Sequence, residues 1–585
     1  MRLGVKWAVG LLCALAVLAC GAYRWPVDSA KAGAEIDAAI SPRFGLHWRG
    51  PARATLALLP WPTLRVRGVE LVAADDRSAL SASSALFSLS LQGLLGGRVV
   101  PISATLRGAA ASIDLDAAPL AAAAARFSSG AGNDELFLPW PHVRLQGGAL
   151  HIVSAAHRFD ALIENFEGTF DWPDADAPMN FALAGAWRDE SVQIEGRIDN
   201  PRQGLRKRST GVRLSIASRP LAFTLNGTWG GDAVSGFAGD VSGQIRSLAA
   251  LERLFGAGPA PLFVGDALSF AGKAQTNGAS LSLSDARFEF AGQRFEGGLT
   301  LSRESARPTI SGTLAADSLK IEPLIGAPPT FVNAQGDWSA ERFGFAPPRG
   351  LDLDLRISAA HADWRGHRID DAAGSLICKD GEFAAKLLQA AAYQGVLKGE
   401  IALARETDGL ETRLAGSLAD ADIGAALADF GWSSYRGRGG VDFSLRSIGF
   451  APADSVASLA GVASLDLQSG VIEGVSVEGA MRRGQRRPID VARDMAAGQT
   501  TFTRARAQFV VANGTAQIRG ARVEGPGSAL AIEGSINIAA RELDTRLAAT
   551  QADAEGAPSA DAARLTIVVA GPWSAPSVAA LPGGG

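Results

Sequence analysis

The sequence predicts a mainly β chain: one N-terminal transmembrane helix, then a long run of antiparallel strands with a few short helices. Three observations lead there. A single uncharged apolar segment, WAVGLLCALAVLACGAY, fills residues 7–23. From about residue 45 onward apolar and polar residues alternate with period two, the mark of strands wetted on one face. Glycine reaches 68 of 585 residues, above the usual ~7%, which suits a chain with many turns and closely spaced strands.

The N-terminal segment is the first element. Its 17 residues at ~1.5 Å each reach about 25 Å, the short limit for crossing a bilayer core. Arg2 and Lys6 precede it, and Trp7 at one end faces Tyr23 and Trp25 at the other. Basic residues before a span favour a cytoplasmic N-terminus. Residues 1–6 are then cytoplasmic, 7–23 the anchor, and everything after Arg24 lies on the outer side. Two other readings stand beside the uncleaved anchor. Val17-Leu18-Ala19-Cys20-Gly21 resembles a bacterial lipoprotein cleavage box with Cys20 as the lipid acceptor, and a cleaved secretory signal is the third. All three export the rest of the chain.

Residues 24–44 are expected to hold a short linker helix, with a weak apolar stripe of Ala30, Ala34, Ile36 and Ile40 and Pro42 as its stop. After it the alternation is explicit. Leu281 and Leu283 alternate with serines, Phe288 and Phe290 with Arg287 and Glu289, and Leu353, Leu355 and Ile357 with Asp352, Asp354 and Arg356. Ala505, Ala507, Phe509 and Val511 lead into Asn513-Gly514, the strongest short hairpin signal, and Ala516 and Ile518 follow. Roughly forty strands would fit, an upper bound near 190 Å at ~4.7 Å spacing in one ribbon. Helical spacing is best at 118–127, 247–257, 419–430 and 486–497, where packing helices would cap a sheet. Leu59-Pro-Trp-Pro-Thr-Leu-Arg-Val-Arg-Gly68 recurs as Leu138-Pro-Trp-Pro-His-Val-Arg-Leu-Gln-Gly147, a proline turn leading into a strand each time. Such echoes read as accretion of similar β units.

Composition narrows the function. The net charge of −4 and a pI near 6.0 leave no electrostatic footprint for nucleic acid. Cys13 and Cys20 lie in the apolar segment, so Cys378 is alone in the exported part and no disulfide forms there. No catalytic or cofactor motif stands out. The histidines, His47, His142, His151, His157, His361 and His367, form no H-E-x-x-H pattern. G-x-S-x-G is missing, and Gly272-Lys273 lacks both the glycine and the Ser or Thr of a phosphate loop. Asp352 and Asp354 project together from the polar face, where solvation is the simpler reading than a cation site. The chain is expected to be no enzyme and to need no cofactor or metal.

Several stretches are similar to the AsmA family. LALLPWPTLRVRGVEL at 56–71 resembles the family's membrane-proximal signature. DWSAERF, LDLDLRISAAHADWRGHRIDDAAGSL and AAYQGVLKGEIAL within 337–403 resemble its central part. YRGRGGVDFSL, SLAGVASLDLQSGVIEGVSVEG, TTFTRARAQFVVANGTAQIRG and GSALAIEGSINIAARELDTRL within 435–550 resemble its C-terminal domain, and GPWSAPSV closes the chain in the family manner. The resemblance implies a long, curved, antiparallel β-sheet groove, apolar inside, divided as 45–336 and an AsmA-like region at 337–585. It also implies a bacterial inner-membrane protein with its bulk in the periplasm, linked to outer-membrane biogenesis and phospholipid movement between membranes. The residues leave two arrangements open: an apolar face that meets acyl chains, or two faces closed on each other as a sandwich. Candidates for a lipid-facing surface are Phe288, Phe290, Leu353, Leu355, Phe509 and Ile518. Arg482, Arg483, Arg486 and Arg487 are candidate headgroup contacts, since guanidinium groups pair with phosphate at two points. Expected partners are the membrane, phospholipid acyl chains and outer-membrane assembly or envelope proteins. The alternative function is a scaffold that assists outer-membrane protein assembly without carrying lipid.

Overall fold

The structure is a computed structural model describing residues 21–28, 46–49, 53–73, 79–96, 101–114, 142–154, 159–174, 176–205, 208–230, 236–255, 267–305, 307–325, 330–344, 351–364, 366–429, 433–474, 476–484, 498–526, 528–551 and 564–581. Strands dominate it, 31 of them among the described residues, against the roughly forty expected. The difference lies in strand length, which reaches 15 residues in Tyr435–Gly449. The chain divides into two units, Met1–Pro259 with Asp266–Ala286, and Ala260–Gly265 with Arg287–Gly585. The boundary expected at 336/337 falls inside the second unit.

In the first unit a ladder runs from the hairpin Arg53–Ala57 and Thr63–Ala73 to Leu268–Asn277. Each strand pairs antiparallel with the next, with one exception. Pro101–Asp114 and Val143–Ser154 lie parallel. The second unit repeats the plan from Gln293–Ser302 to Ser577–Leu581, with Thr309–Lys320 and Asp352–Trp364 as its parallel pair. Parallel neighbours need a crossover of about a dozen residues or more, and residues 115–142 and 321–351 are long enough to supply one in each unit.

The expected short helix at 24–44 does not begin as one. Trp25–Val27 is a strand paired with Ala54–Leu56, and residues 29–45 lie outside the described residues. Of the anchor segment 7–23, residues 7–20 also lie outside them, and Gly21 and Ala22 are helical. No helix among the described residues is long and apolar enough to cross a membrane. Of the other helical expectations, 247–257 is found as Leu248–Phe255, begun by the Ser247 hydroxyl accepting from the Ala250 N–H at 3.2 Å. The segment 419–430 is helical only over Ile423–Asp429, because 419–422 complete the strand Gly409–Asp422. Asp422 caps that helix through the Ala425 N–H at 2.9 Å. Segments 118–127 and 486–497 lie outside the described residues.

Single left-handed residues interrupt the strands and reset their alternation. Asp371, Asp420 and Gly520 have φ of 49°, 51° and 70°, each at a register shift with a neighbouring strand. Such a bulge turns the following residues to the other face and bends the sheet locally. It explains how Ile518 before Gly520 and Ala521 after it both join the apolar face. Asp285, with φ 47°, similarly separates the Leu281/Leu283 phase from the Phe288/Phe290 phase. Gly68 and Gly147, which end the two proline-turn echoes, are left-handed too, and a side chain at either would meet open space.

The buried clusters are lateral. In the first unit Val66, Val69, Ala82, Ala85 and Ala109 come from three consecutive strands. In the second, Leu353, Leu355 and Cys378 are packed by Leu299, Ile310, Ile357 and Leu376, again from adjacent strands. Two helices add cover: Ile423 over Ala421, Tyr435, Leu467 and Phe502, and Val477, Ala480 and Met481 over Leu530, Ala549, Leu565 and Ile567. The latter helix, Val477–Gly484, starts where Ser476 accepts from the Gly479 N–H and Thr500 from the Val477 N–H. Each unit is thus one sheet layer that packs sideways and under short helices. A closed sandwich would instead draw its clusters from two facing layers.

Candidate functional site

Register determines which side chains share a face. In the second unit one row passes through Gly312, Leu355, Leu376, Ala385, Ile401, Leu414, Leu445, Gly461, Val511 and Ala516. The next row on the same face passes through Leu387, Gly399, Gly416, Phe443, Ala463, Phe509 and Ile518. Of the sequence candidates, Leu353, Leu355, Phe509 and Ile518 therefore lie on one continuous apolar face. Phe288 and Phe290 close the strand Ser280–Phe290, the first buried and the second half-buried.

Burial separates these candidates. Leu353 and Leu355 are only 5% and 7% exposed, sealed by their leucine and isoleucine neighbours. They are core, and as positions meeting a ligand they give way to residues farther along the same rows. Phe509 and Ile518 are half-buried, as are Ile401, Phe443 and Leu445, and Leu414 is 40% exposed. Leu414, Phe443 and Leu445 were not singled out from the sequence. What distinguishes them is their neighbours. Gly399 pairs with Gly416, and Leu445 with Gly461, and of these glycines Gly399 has open space above it, a shallow slot in the row. The Phe443 ring lies across Gly416, where a Cβ would come within 2.6 Å of it. Half-exposed apolar side chains in register over consecutive strands are what an uncovered face presents. The first unit repeats the feature: Phe170, Phe181, Gly196, Leu214, Leu225 and Val241 form one row.

The opposite face carries the charges. Lys386 pairs with Glu400 at 3.2 Å, and Arg504 and Arg506 flank Asp466 at 3.0 and 3.4 Å. Arg504 holds the Asp466 carboxyl below its ordinary value. A broad depression of about 690 Å³ opens on this side, over the row Lys398, Ser417, Asp442, Ser464, Gln508 and Arg519, with the exposed apolar side chains of Leu388, Val462 and Val510 also in its lining. Its small residues make it, and the sequence alternation alone does not mark it. Exposed pairs of this kind contribute little stability each and chiefly keep that face wet.

The remaining candidates divide. Arg482 and Arg483 end the helix Val477–Gly484, with side chains outside the described residues, and Arg486 and Arg487 lie wholly outside them. His361 and Arg368 both bind Asp370 at 2.7 Å, and His367 binds Asp429 at 2.8 Å. The Tyr393 hydroxyl also donates to Asp429, at 2.9 Å, and burial, with Asp429 behind it, pushes that phenol up to about 12. Burial likewise lifts Tyr435 to about 12, beneath the Ile423–Asp429 helix. Asp352 faces Arg307 at 3.7 Å. Among the described residues no three His, Cys, Asp or Glu side chains gather as a metal site.

Residues 332–520 match the model of the AsmA family, a span that contains Ile401, Leu414, Phe443, Leu445, Phe509 and Ile518. No curated protein and no solved structure matches the chain.

Proposed function

From the match of residues 332–520 to the AsmA family model, we propose that this chain guides phospholipid between the inner and outer membranes along the apolar face of its sheets. In this reading it is a non-catalytic periplasmic protein of envelope biogenesis, held in the inner membrane by residues 7–23. The observation that supports it is the row of half-exposed apolar side chains Ile401, Leu414 and Leu445 with Phe443, Phe509 and Ile518 beside it.

Dimensions favour an acyl chain as the occupant. One lipid tail spans half of a ~30 Å bilayer core, about 15 Å, or roughly three strands at ~4.8 Å spacing. The strands from Gly395–Glu406 to Thr515–Gly525 are six in a row, offering about 25 Å across the ladder. Each methylene that leaves water there contributes ~0.8 kcal/mol, so a tail on this face loses little relative to the bilayer it left. The opposite face, one residue away on every strand, carries the ion pairs, and its exposed Val462 and Val510 pair side by side between Ser444 and Gln517.

That single-residue alternation supplies the test. A photoreactive amino acid at Phe443 should cross-link to phospholipid in the intact cell envelope, and one at Asp442 on the same strand should not. Native mass spectrometry of the detergent-purified full chain should show co-purified phospholipid. Equal cross-linking from both positions, or no lipid in either experiment, would refute conduction and leave the scaffold reading.

A further inference from the structure

In the first unit the exposed large apolar side chains concentrate at one end of the sheet. Ala57 pairs with Thr63, Thr63 with Ser88 and Leu89 with Pro101, so the turn at 58–62, the helix Leu91–Leu95 and the start of Pro101–Asp114 share that end. The Leu89 N–H donates to the Pro62 carbonyl there. Leu58, Trp61, Leu91 and Leu95 stand out from it, Trp61 at 74% and Leu95 at 81% exposure, and Ile102 extends the patch. Tyr23 and Trp25 complete the collar: their rings meet edge-on at 5.1 Å, and Trp25 pairs with Leu56.

The apolar segment of the sequence ends on this collar. The Gly21 carbonyl accepts from the N–H groups of both Leu58 and Leu59, at 2.9 and 2.8 Å. A Cβ on Gly21 would lie 2.3 Å from the Leu59 side chain, so a larger residue there would have to push that side chain aside. Whatever residues 7–20 enter, the collar is fixed beside it. Charge agrees with one occupant. The sequence has no Asp or Glu between Asp37 and Glu70 or between Asp76 and Asp114, and Asp28 follows the end of the Trp25–Val27 strand that points away from the collar, while Arg24 adjoins the collar and Arg65 stands two residues along the strand from Thr63. A large apolar patch with aromatic members, free of carboxylates and flanked by guanidinium groups, has the chemistry of a membrane-interface belt.

We propose that this end of the first unit seats on a bilayer containing anionic phospholipid. Trp61, Leu91 and Leu95 enter the headgroup–acyl boundary, and Arg24 and Arg65 lie toward the phosphates. The proposal rests on the reading of residues 7–23 as a membrane anchor and adds the surface that sets how the sheet stands on the membrane. A tethered sheet would otherwise be free to swing on its anchor.

The test uses the full chain in vesicles of phosphatidylethanolamine and phosphatidylglycerol, with Cys13 and Cys20 replaced by alanine and the buried Cys378 retained. An environment-sensitive dye is placed in turn at Trp61→Cys, Leu95→Cys and, on the polar face, Asn226→Cys. Phospholipid carrying a nitroxide high on its acyl chain should quench the dye at 61 and 95 several-fold more than at 226. Removing phosphatidylglycerol should reduce that quenching. A chain that floats with the vesicles but shows equal quenching at all three sites overturns the collar and leaves the anchor standing. A chain that does not float overturns both. Dyes at 61 and 95 shielded from aqueous quencher in proportion to protein concentration, yet untouched by the nitroxide lipid, would assign the collar to a second copy instead and overturn the proposal.

Discussion

Aspartate at Leu355 and at Leu414 should have opposite consequences, although both leucines belong to one register row on one face. Leu355 is 7% exposed and packed in the cluster with Leu353 and Cys378. Its removal forfeits nearly the whole burial term of a leucine, ~1.5–3 kcal/mol. A carboxylate among those side chains adds several kcal/mol more, whether as desolvated charge or as the work of protonating it. The sum, about 5 kcal/mol, is comparable with the entire stability of a domain, ~5–15 kcal/mol. Leu414 is 40% exposed, so substitution there loses only about 1–2 kcal/mol of burial, and the new carboxylate stays hydrated. Urea unfolding of the full chain in detergent, followed by tryptophan fluorescence, should show a large downward shift for Leu355→Asp and a small one for Leu414→Asp. The folded Leu414→Asp protein should then cross-link poorly to lipid through a photoreactive group at Phe443, because a charge now stands beside the tail's path. If Leu414→Asp is as damaging as Leu355→Asp, something seals that part of the face and the uncovered sheet is wrong. If it folds and cross-links as the parent does, the tail does not pass there.

Three further outcomes follow from the same geometry. Cys378 is fully buried and its thiol is raised by desolvation, so with Cys13 and Cys20 replaced it should resist maleimide at pH 8 when folded and react at once in urea. Arg368 and His361 hold the Asp370 carboxyl below its ordinary 3.8. A depressed folded value contributes stability above the unfolded pKa that is lost as pH falls through the folded one, so Asp370→Asn should flatten the stability profile only on the acid side. If residues 1–6 are cytoplasmic and the anchor is uncleaved, alkaline phosphatase fused at Gly585 should be active, and Cys20→Ala should leave size and membrane attachment unchanged.

Much of the fold was legible because period two is imposed by the strand itself. Ala505, Ala507, Phe509 and Val511 alternate as the sequence indicates, and the Asn513-Gly514 turn adopts the positive φ values, 48° and 69°, that such a hairpin requires. The breaks in alternation were not legible. Asp371 and Asp420 look like ordinary polar-face residues, and only the register of the next strand shows them to be left-handed bulges that exchange the faces. The same limit applies to the candidate surface. Leu355 and Leu414 have equivalent local patterns, yet one is sealed and the other open. The difference is made by lateral neighbours from separate strands: Leu376 and, in the same cluster, Leu299 and Ile310 for Leu355, against Ile401 and Leu445 for Leu414. The helix Val477–Gly484 was missed for a related reason, since its apolar residues Val477, Ala480 and Met481 gain meaning only against Leu530, Ala549 and Ile567.

The helices also explain why the open stretch lies where it does. A one-layer sheet must hide enough of its apolar face to fold, and the two caps do so at specific places. Ile423–Asp429 covers Tyr435, Leu467 and Phe502, and Val477–Gly484 covers Leu530, Ala549 and Ile567. Elsewhere the face relies on lateral packing, complete around Leu353 and Leu355 and partial at Ile401, Leu414, Phe443 and Leu445. Lengthening either helix would add stability and close the face. Substituting leucine for Gly399 would fill the slot beside Gly416 with the protein's own side chain. The sequence does neither, and it spends the opposite face on ion pairs that keep it in water. An apolar strip left half covered on one side and a charged surface on the other is a liability for a scaffold, which gains nothing from the exposure. For a protein that must take up an acyl chain and release it again, partial cover is the useful state, because a sealed face admits no tail and a wholly bare one invites aggregation.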